Sequence, residues 1–340
     1  MALNIQALFV ALYTTSGVAM SSDVKKLIHK YMPDSQMSRF GKIFTDTTEF
    51  MDIDHSDVIQ LGNEHFLVLK NEQERRFGLV DPKYWVKRVK HLESGQPQIL
   101  KLAFYETFPM HIGPFEIKCY RSPRKESRIL ELVKGDMRFM QGYSKNDISG
   151  NNVRVLDIIR GKRLDVVVHD IPVDHKTYFH EYFPDILEKF IGACEAISFL
   201  HRHDEKHGDV RRDHLWVESG TGAYRWIDFD YAFELYENPF GLDIFGLKSI
   251  LVYIVGKANL TMQTLLELGT EKSILNTLNS DDHSVVISNR VVNVKKIYNY
   301  IPNSLNNILM HLSSSSSVFY ESVDEMLVDM NKSLKEIRSL

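Results

Sequence analysis

The stretch from Lys206 to Val217, KHGDVRRDHLWV, places an aspartate among histidines and arginines directly before a strand-like apolar run. Asp209 follows a glycine, and Arg211 lies two residues beyond it. A carboxylate in such a setting can orient an attacking hydroxyl. The stretch therefore indicates either a site of group transfer or a charged loop that only connects two elements.

Two further positions supply groups that phosphoryl transfer from a nucleotide requires. Lys101 lies inside the apolar run QILKLAF, where burial of an ammonium group is costly unless it meets a partner. Glu126 lies near the start of the next helical pattern and could be that partner. Taken alone, Lys101 could equally extend to water at a sheet edge, and Glu126 could simply favour the positive end of its helix.

The composition is that of an ordinary globular protein. The 340 residues are 44% hydrophobic and 25% charged, which suffices for a sizeable core in two domains or in one two-lobed domain. A net charge of −4 offers no basic surface of the kind that binds nucleic acid or anionic membranes. The two cysteines, Cys119 and Cys194, lie far apart without CxxC spacing, so we expect a reducing compartment and a cytoplasmic protein.

The elements that must position these groups fall into three stretches. Residues 1–55 are predicted to be a helical extension, with a signal peptide as the alternative for its apolar start. Residues 56–171 contain β-rich runs around one helix, PRKESRILELVKG, and residues 172–340 are mainly helical. The runs predicted as strands in the middle stretch are VIQLG, HFLVLK, YWVKRV, QILKLAF, VRVLDIIR and LDVVVHDI. The sequence thus predicts an α+β fold in which an antiparallel sheet lobe with one helix precedes a helical lobe.

Several of these segments, in order, resemble the protein kinase superfamily. VKHLESGQPQILK is similar to the hairpin that carries the family's phosphate-binding lysine, which matches Lys101, and KESRILELV resembles the αC helix, whose ion-pairing glutamate matches Glu126. LDVVVHDIP occupies the place of the hinge, where the resemblance implies that backbone groups from His169 to Ile171 contact adenine. The resemblance extends over residues 58–336 and implies a bilobal, protein kinase-like fold.

The charged stretch resembles the family's catalytic loop. The HRDxxxxN pattern corresponds here to His207, Gly208 and Asp209, followed five residues later by His214. The resemblance implies that Asp209 is the catalytic base and that Arg211 replaces the lysine that steadies the transferred phosphoryl group.

Two later segments continue the resemblance. IDFD resembles the DFG element, which implies that Asp228 is a magnesium ligand, with Asp230 in place of the glycine. FGLDIFGLKSIL resembles the buried αF helix, in which Asp243 matches the carboxylate that holds the backbone of the catalytic loop. In this arrangement His207 has a structural role in the loop.

Some positions depart from the family pattern. The glycine-rich loop is reduced to Gly78 in QERRFGLV. His214 replaces the asparagine that binds a second Mg²⁺, and imidazole is a better ligand for Mn²⁺ or Zn²⁺ than for Mg²⁺. Asp243 follows Asp228 after only 15 residues, which leaves no room for a full activation segment. Gly208 replaces the arginine that would bind a phosphorylated activation loop, so we do not expect control by loop phosphorylation.

We therefore expect an ATP-dependent phosphotransferase that uses Mg²⁺, or Mn²⁺, and transfers the γ-phosphate to a hydroxyl acceptor, with protein serine or threonine as the leading acceptor. The expected partners are a nucleotide and a hydroxyl-bearing substrate, without nucleic acid or membrane. A pseudokinase that serves as a nucleotide-binding or scaffold protein is one alternative, and a kinase of small molecules or sugars is another. A zinc site is a competing interpretation of four histidines, namely His201, His203, His207 and His214.

Overall fold

A computed structural model describes residues 17–31, 41–76, 79–112 and 115–340. The apolar N-terminal segment and Gly78 therefore lie outside the described residues. The chain divides into two compact units. The first unit takes in residues up to 105 together with 126–134 and 141–158, and the second takes in 106–125, 135–140 and 159–340. Across the described ranges, no helix has both the length and the apolar character needed to cross a membrane.

The structure contains strands in both halves of the chain. In chain order they are β1 (Val18–Ala19), β2 (Lys42–Phe44), β3 (Val58–Leu61), β4 (Glu64–Arg76), β5 (Leu79–His91), β6 (Pro97–Lys101), β7 (Thr107–Ile112), β8 (Phe115–Arg121), β9 (Gly142–Asn146), β10 (Asn152–Asp157), β11 (Gly161–Arg163), β12 (Leu215–Glu218), β13 (Tyr224–Trp226) and β14 (Tyr231–Phe233).

The helices lie mostly after residue 160. They are α1 (Ser22–Tyr31), α2 (Pro123–Leu132), α3 (Leu164–His169), α4 (His175–Thr177), α5 (Phe183–His201), α6 (Gly241–Gly256), α7 (Met262–Glu267), α8 (Lys272–Leu275), α9 (Val294–Ile297), α10 (Asn303–Met310) and α11 (Val323–Ile337). A π-helical turn, Tyr178–Tyr182, leads into α5, and short 3₁₀ turns lie at Phe50–Asp52, Arg212–His214 and Ser280–Asp282.

The first unit is built on an eight-stranded sheet in the order β1-β2-β3-β4-β5-β6-β10-β9. Its neighbouring strands are antiparallel except for the parallel pair β2 and β3. Alternation along the strands divides the apolar residues between the two faces. Phe66 and Val68 of β4 point into the main core of the unit, whereas Leu67 packs on the opposite face with Val24 and Ile28 of α1. Both faces of the sheet are thereby shielded from water.

The second unit combines helices with two small sheets. α5 buries an apolar face along its length, and α6 is buried on nearly all sides, as its almost wholly apolar sequence requires. One sheet has the order β11-β12-β13, and its β12–β13 hairpin turns at the segment ESGTGA. The other has the order β14-β8-β7. The predicted α+β class, an antiparallel sheet followed by a mainly helical part, is confirmed.

One predicted strand is wrong. The run LDVVVHDI contains three consecutive valines, which favour a strand, but residues 164–169 form α3. Leu164 and Val168 are fully buried and lie four residues apart, so that one helical face carries the apolar contacts. Tertiary burial of this face outweighs the β propensity of the valines.

His175 illustrates how the second unit stabilises a polar group in its interior. Its Nε2 donates a hydrogen bond to the carbonyl of Val255 at 2.8 Å, and its Nδ1 accepts one from the Tyr300 hydroxyl at 2.8 Å. The ring stacks on Tyr298 with a centroid separation of 3.5 Å. Burial, assisted by the charge of Lys257, lowers the pKa of His175 from 6.5 to about 4, so the neutral imidazole is the folded form.

This pKa predicts that acid destabilises the fold. Between pH 6.5 and pH 4 the unfolded chain binds a proton at His175 that the folded chain does not, so the free energy of unfolding decreases as pH falls. We expect protonation of the unfolded chain at His175 to lower the free energy of unfolding by about 3 kcal/mol over that range. Urea denaturation at a series of pH values measures it, with His175→Phe as the variant that cannot titrate. An unchanged pH slope in the variant would contradict the assignment.

Candidate active site

In the first unit, Glu126 is held between two cations. Its side chain is fully buried, and Lys101 Nζ lies 2.8 Å from its Oε1, with only 5% of the lysine side chain exposed. Arg154 of β10, which pairs in register with Lys101, places its Nε 3.0 Å from Oε2. The predicted lysine–glutamate pair is thus in contact. Arg154, which the sequence analysis missed, fixes the carboxylate from the other side.

In the second unit, Asp243 binds the loop that precedes Asp209. Its carboxylate is fully buried in α6 and accepts hydrogen bonds from the backbone N–H groups of His207 at 2.7 Å and Gly208 at 2.8 Å. His201 donates a third from Nε2 at 3.1 Å. Burial opposes ionisation, but the His201 hydrogen bond and the other donors hold the pKa of Asp243 below its usual value. Asp243 is therefore an ionised anchor for the backbone of the loop.

His207 supports Asp209 from inside the unit. Its ring is fully buried against Trp226 and Phe229, and Nδ1 accepts a hydrogen bond from the backbone N–H of Asp209 at 3.3 Å. Burial lowers the pKa of His207 to about 3, so the imidazole is neutral at physiological pH. The residue acts on the conformation of the loop, in keeping with the structural role expected for it.

Lys125 ties this loop to the segment that follows Asp228. Its buried ammonium group donates hydrogen bonds to three backbone carbonyls, those of His207 at 2.8 Å, Phe229 at 3.0 Å and Tyr231 at 2.5 Å. No sequence pattern predicted this role, because Lys125 lies in a polar helical turn of the kind that is usually exposed.

Gly208 is required by this close packing. Its φ is +87°, a conformation that glycine adopts without strain, and a Cβ at this position would lie 1.8 Å from the carbonyl oxygen of Tyr231. No side chain fits there. The backbone of Tyr231 thus lies against the loop at Gly208.

Substitution of Gly208 tests this packing. We expect Gly208→Ala to lower the free energy of unfolding by about 2–4 kcal/mol, because it adds a steric clash to the strain of a positive φ. Gly220→Ala is the matched control, since Gly220 has a φ of +89° with nothing within 4 Å of an added Cβ, and it should cost only about 1 kcal/mol. Denaturant titration of both variants gives the comparison, and equal losses would rule out the clash.

Asp209 lies in a cluster of charged side chains within the second unit. Arg211 Nε is 3.4 Å from its Oδ1, and His214 Nδ1 is 3.4 Å from its Oδ2. His214 Nε2 is in turn 3.5 Å from Oδ2 of Asp228. Burial raises the pKa of Asp209, as does the charge of Asp228, while His214 and Arg211 oppose the increase. A carboxylate with a raised pKa is a stronger proton acceptor than an ordinary aspartate.

The hydrogen bonds of His214 determine which of its nitrogens can bind a metal. Arg211 Nη2 lies 2.8 Å from His214 Nε2 and can only donate, so Nε2 presents its lone pair and Nδ1 carries the proton. That proton is donated to the backbone carbonyl of Asp209 at 3.0 Å. The Nε2 lone pair lies beside the Asp228 carboxylate but accepts the Arg211 hydrogen bond, so this nitrogen–oxygen pair would hold a divalent cation, Mn²⁺ better than Mg²⁺, once Arg211 Nη2 moves away from Nε2.

The backbone at Asp228 is held in an uncommon conformation. Its φ is +67°, which costs a non-glycine residue about 1–3 kcal/mol and persists only where surrounding contacts impose it. The next residue, Phe229, is fully buried, and Lys125 binds its carbonyl. These contacts direct the Asp228 carboxylate toward His214.

Asp230, two residues after Asp228, has structural contacts. Its carboxylate is fully buried and pairs with Arg121 Nη1 at 2.5 Å, and its carbonyl accepts a hydrogen bond from Ser122 N at 2.7 Å. Directly after it, β14 pairs with β8 of the β7–β8 hairpin. This hairpin, which the sequence analysis did not predict, fixes the short segment between Asp228 and Asp243.

Other predicted site residues lie apart from this cluster. His169 is at the end of α3 with 81% of its side chain exposed, and the carbonyl of Ile171 accepts a hydrogen bond from Lys257 Nζ at 2.7 Å. The segment expected to be the hinge strand is a helix here. Gly78 lies outside the described residues.

The four histidines of the zinc interpretation do not converge on one point. His201 donates a hydrogen bond to Asp243. His203, which follows α5, donates one from Nδ1 to the carbonyl of Phe199 in that helix. The rings of His207 and His214 are 6.4 Å apart, and each is engaged by the loop around Asp209. The structure therefore favours the roles in the loop over a shared metal for these side chains.

The chain is similar to solved structures at low sequence identity. No protein-family model matches the chain, and no curated protein matches it. Among solved structures, the chain is similar to the kinase domain of Mycobacterium tuberculosis PknI, at 12% identity over 81% of this chain and 97% of that one, with a TM-score of 0.46. A second structure of that domain gives 12% identity, 79% and 96% coverage, and a TM-score of 0.44.

Proposed function

We propose that this protein is an ATP-dependent phosphotransferase with a protein kinase-like fold, which transfers the γ-phosphoryl group of ATP to a hydroxyl acceptor. The observation that supports it is the cluster in which Asp209, with a raised pKa, lies within 3.4 Å of both Arg211 and His214, and His214 within 3.5 Å of Asp228. A base, a cation and a metal-ligating pair are the groups that this reaction requires. A serine or threonine side chain of a protein is the leading acceptor.

In the proposed reaction, Asp209 orients the acceptor hydroxyl and takes its proton. The acceptor oxygen forms a bond to the γ-phosphorus as the bond from that phosphorus to the β–γ bridging oxygen breaks, and ADP leaves with the electron pair. Arg211, whose side chain lies beside Asp209, stabilises the negative charge on the transferred group.

Lys101 is proposed to bind the phosphates of ATP. Its ammonium group is held at one end of Glu126 while Arg154 holds the other, so the lysine is positioned before the nucleotide arrives. Asp228 and His214 would hold the divalent metal ion, which neutralises phosphate charge when bound.

The donor pair predicts an unusual metal preference. We expect transfer to be faster with Mn²⁺ than with Mg²⁺, because one ligand is an imidazole. Replacing His214 with asparagine, an oxygen donor, should shift the Mn²⁺/Mg²⁺ activity ratio toward Mg²⁺ on the order of tenfold. Initial rates measured across a titration of each metal test this. An unchanged ratio would exclude His214 from the metal site.

Nucleotide binding tests the proposal separately from transfer. ATP with Mn²⁺ should stabilise the wild type by about 3 kcal/mol at a hundredfold excess over Kd, and Lys101→Ala should lose most of this gain. Lys70→Ala is the matched control, because Lys70 is an exposed lysine of β4. Absence of stabilisation in the wild type, or equal stabilisation in Lys101→Ala, would contradict the role of Lys101.

A small hydroxylated molecule is the second candidate acceptor. A cavity of about 390 Å³ lies beside Asp209 in the second unit, and sites for small ligands commonly have this size. The composition of its walls gives more information on the acceptor.

A further inference from the structure

The cavity beside Asp209 is formed entirely by the second unit. The loop after His207, the helix α6 and the segment from Val286 to Arg290 line most of the cavity. The β7–β8 hairpin contributes Met110 and His111. Most of the wall is apolar, with Phe245, Ile250 and Val286 among its residues. The proposed base, Asp209, therefore lines a cavity whose walls are largely apolar.

Three arginines line this cavity, and two of them already have partners. Arg211 lies beside Asp209 and Asp213, at 3.4 Å and 3.2 Å. Arg212 donates to the amide oxygen of Asn259 and stacks over the ring of Tyr253. Neither of these two cations needs a ligand to offset its charge.

Arg290 is different. No carboxylate in the described part of the chain forms an ion pair with it, and its Nε is buried without a hydrogen-bond partner. Burial, and secondarily the charge of Arg212, lowers the pKa of Arg290, but an arginine remains protonated at physiological pH. A partly buried guanidinium without an anion carries an unrecovered desolvation cost, which a bound anion would offset.

We infer that Arg290 binds an anionic group, a carboxylate or a phosphate, carried by the acceptor whose hydroxyl meets Asp209. The inference rests on the proposed phosphotransferase function and makes Arg290 a specificity-determining residue of that site. The anion would come from an acidic or phosphorylated residue next to a serine or threonine, or from a small hydroxylated acid or phosphate ester. In both cases Arg290 and Asp209 contact different groups of one ligand within the same cavity.

The walls of the cavity also indicate the polarity and charge of the acceptor. The side chains of Phe245 and Val286 line the same cavity as Arg290 and offer no hydrogen bonds, so the part of the acceptor between hydroxyl and anion should be weakly polar. A cationic acceptor would meet Arg290 and Arg212 and be rejected.

Matched ligands test the inference in two arms. One arm is a set of serine peptides in which each flanking position is changed in turn to glutamate, phosphoserine, lysine or alanine. The other compares glycerol 3-phosphate with glycerol, and glycerate with propanediol. Both arms are measured for transfer from labelled ATP, and for binding by calorimetry in the absence of nucleotide, with wild type, Arg290→Gln and Arg290→Glu.

We expect the anionic member of at least one arm to be favoured about tenfold or more, an advantage that Arg290→Gln abolishes and Arg290→Glu reverses toward lysine-flanked peptides. Arg338→Gln is the control, because Arg338 pairs with Glu188 at the surface. The arm in which the preference is found identifies the source of the anion.

Two outcomes overturn the inference: equal binding of anionic and cationic ligands by the wild type, or a preference that Arg290→Gln leaves unchanged. The calorimetric readout does not depend on transfer. Anion-selective binding that requires Arg290, without label transfer to any ligand, would therefore support the inference while contradicting the proposed function.

Discussion

Replacement of Asp209 with asparagine is expected to slow phosphoryl transfer by about 10²–10⁴-fold, because the amide cannot take the proton of the acceptor hydroxyl. The substitution keeps the size of the side chain and leaves the hydrogen bond from the Asp209 backbone to His207 in place. ATP should therefore still stabilise the variant. Steady-state rates and nucleotide-dependent melting, measured on the same preparation, separate the two effects.

Asp213→Asn provides the control for charge. Asp213 also contacts Arg211, at 3.2 Å, but it is more exposed than Asp209 and has no role in the proposed proton transfer. Its variant should keep transfer within a few-fold of the wild type. Equal losses in the two variants would assign the effect of Asp209→Asn to the displacement of Arg211.

Replacement of Lys125 with methionine is expected to destabilise the second unit by about 3 kcal/mol, because three backbone carbonyls, two of them buried, lose their donor. Transfer should fall as well, since Lys125 joins the backbone at His207 to the backbone on either side of Asp230. Urea denaturation gives the stability, and transfer rates measured well below the melting temperature give the effect on activity.

The matched variant is Lys118→Met, which removes a lysine from β8 whose side chain is largely exposed. It should change stability by less than about 0.5 kcal/mol. If Lys125→Met is no less stable than this control, the three carbonyl hydrogen bonds are not a major source of stability.

The sequence carried enough information for the strongly patterned elements. The β-rich apolar runs predicted β3 to β6, and the apolar helix α6 was equally clear. Lys101 called for a partner because a lysine in an apolar strand is costly to bury, and its pairing with Glu126 was implied by the resemblance to the kinase pattern.

No apolar pattern in the sequence predicted the β7–β8 hairpin. Pro109 lies within β7, and proline normally argues against a strand. It is tolerated because β7 is the edge strand of its sheet, where one side of the backbone needs no partner. The edge position depends on pairing between β8 and β14, whose residues are more than 100 positions apart in sequence, so no local pattern could reveal it.

The contacts of Lys125, Arg121 and Asp230 were hidden for the same reason. Each of these charged side chains is buried, although charged residues in polar segments normally lie at the surface. Their partners are backbone carbonyls or charges from distant segments, which only the folded chain brings together. The anchor at Asp243 was easier to predict, because a lone carboxylate in an apolar helix requires donors.

The central claim is tested most directly by incubating the protein with γ-labelled ATP and Mn²⁺ or Mg²⁺, in the presence of serine and threonine peptides and of small hydroxylated molecules. The account predicts label transfer to an acceptor by the wild type, strongly reduced transfer by Asp209→Asn and Lys101→Ala, and ADP formed in equal amount to the labelled product. ATP that stabilises the fold without label transfer above the level of these two variants would contradict it, and would identify a nucleotide-binding pseudokinase.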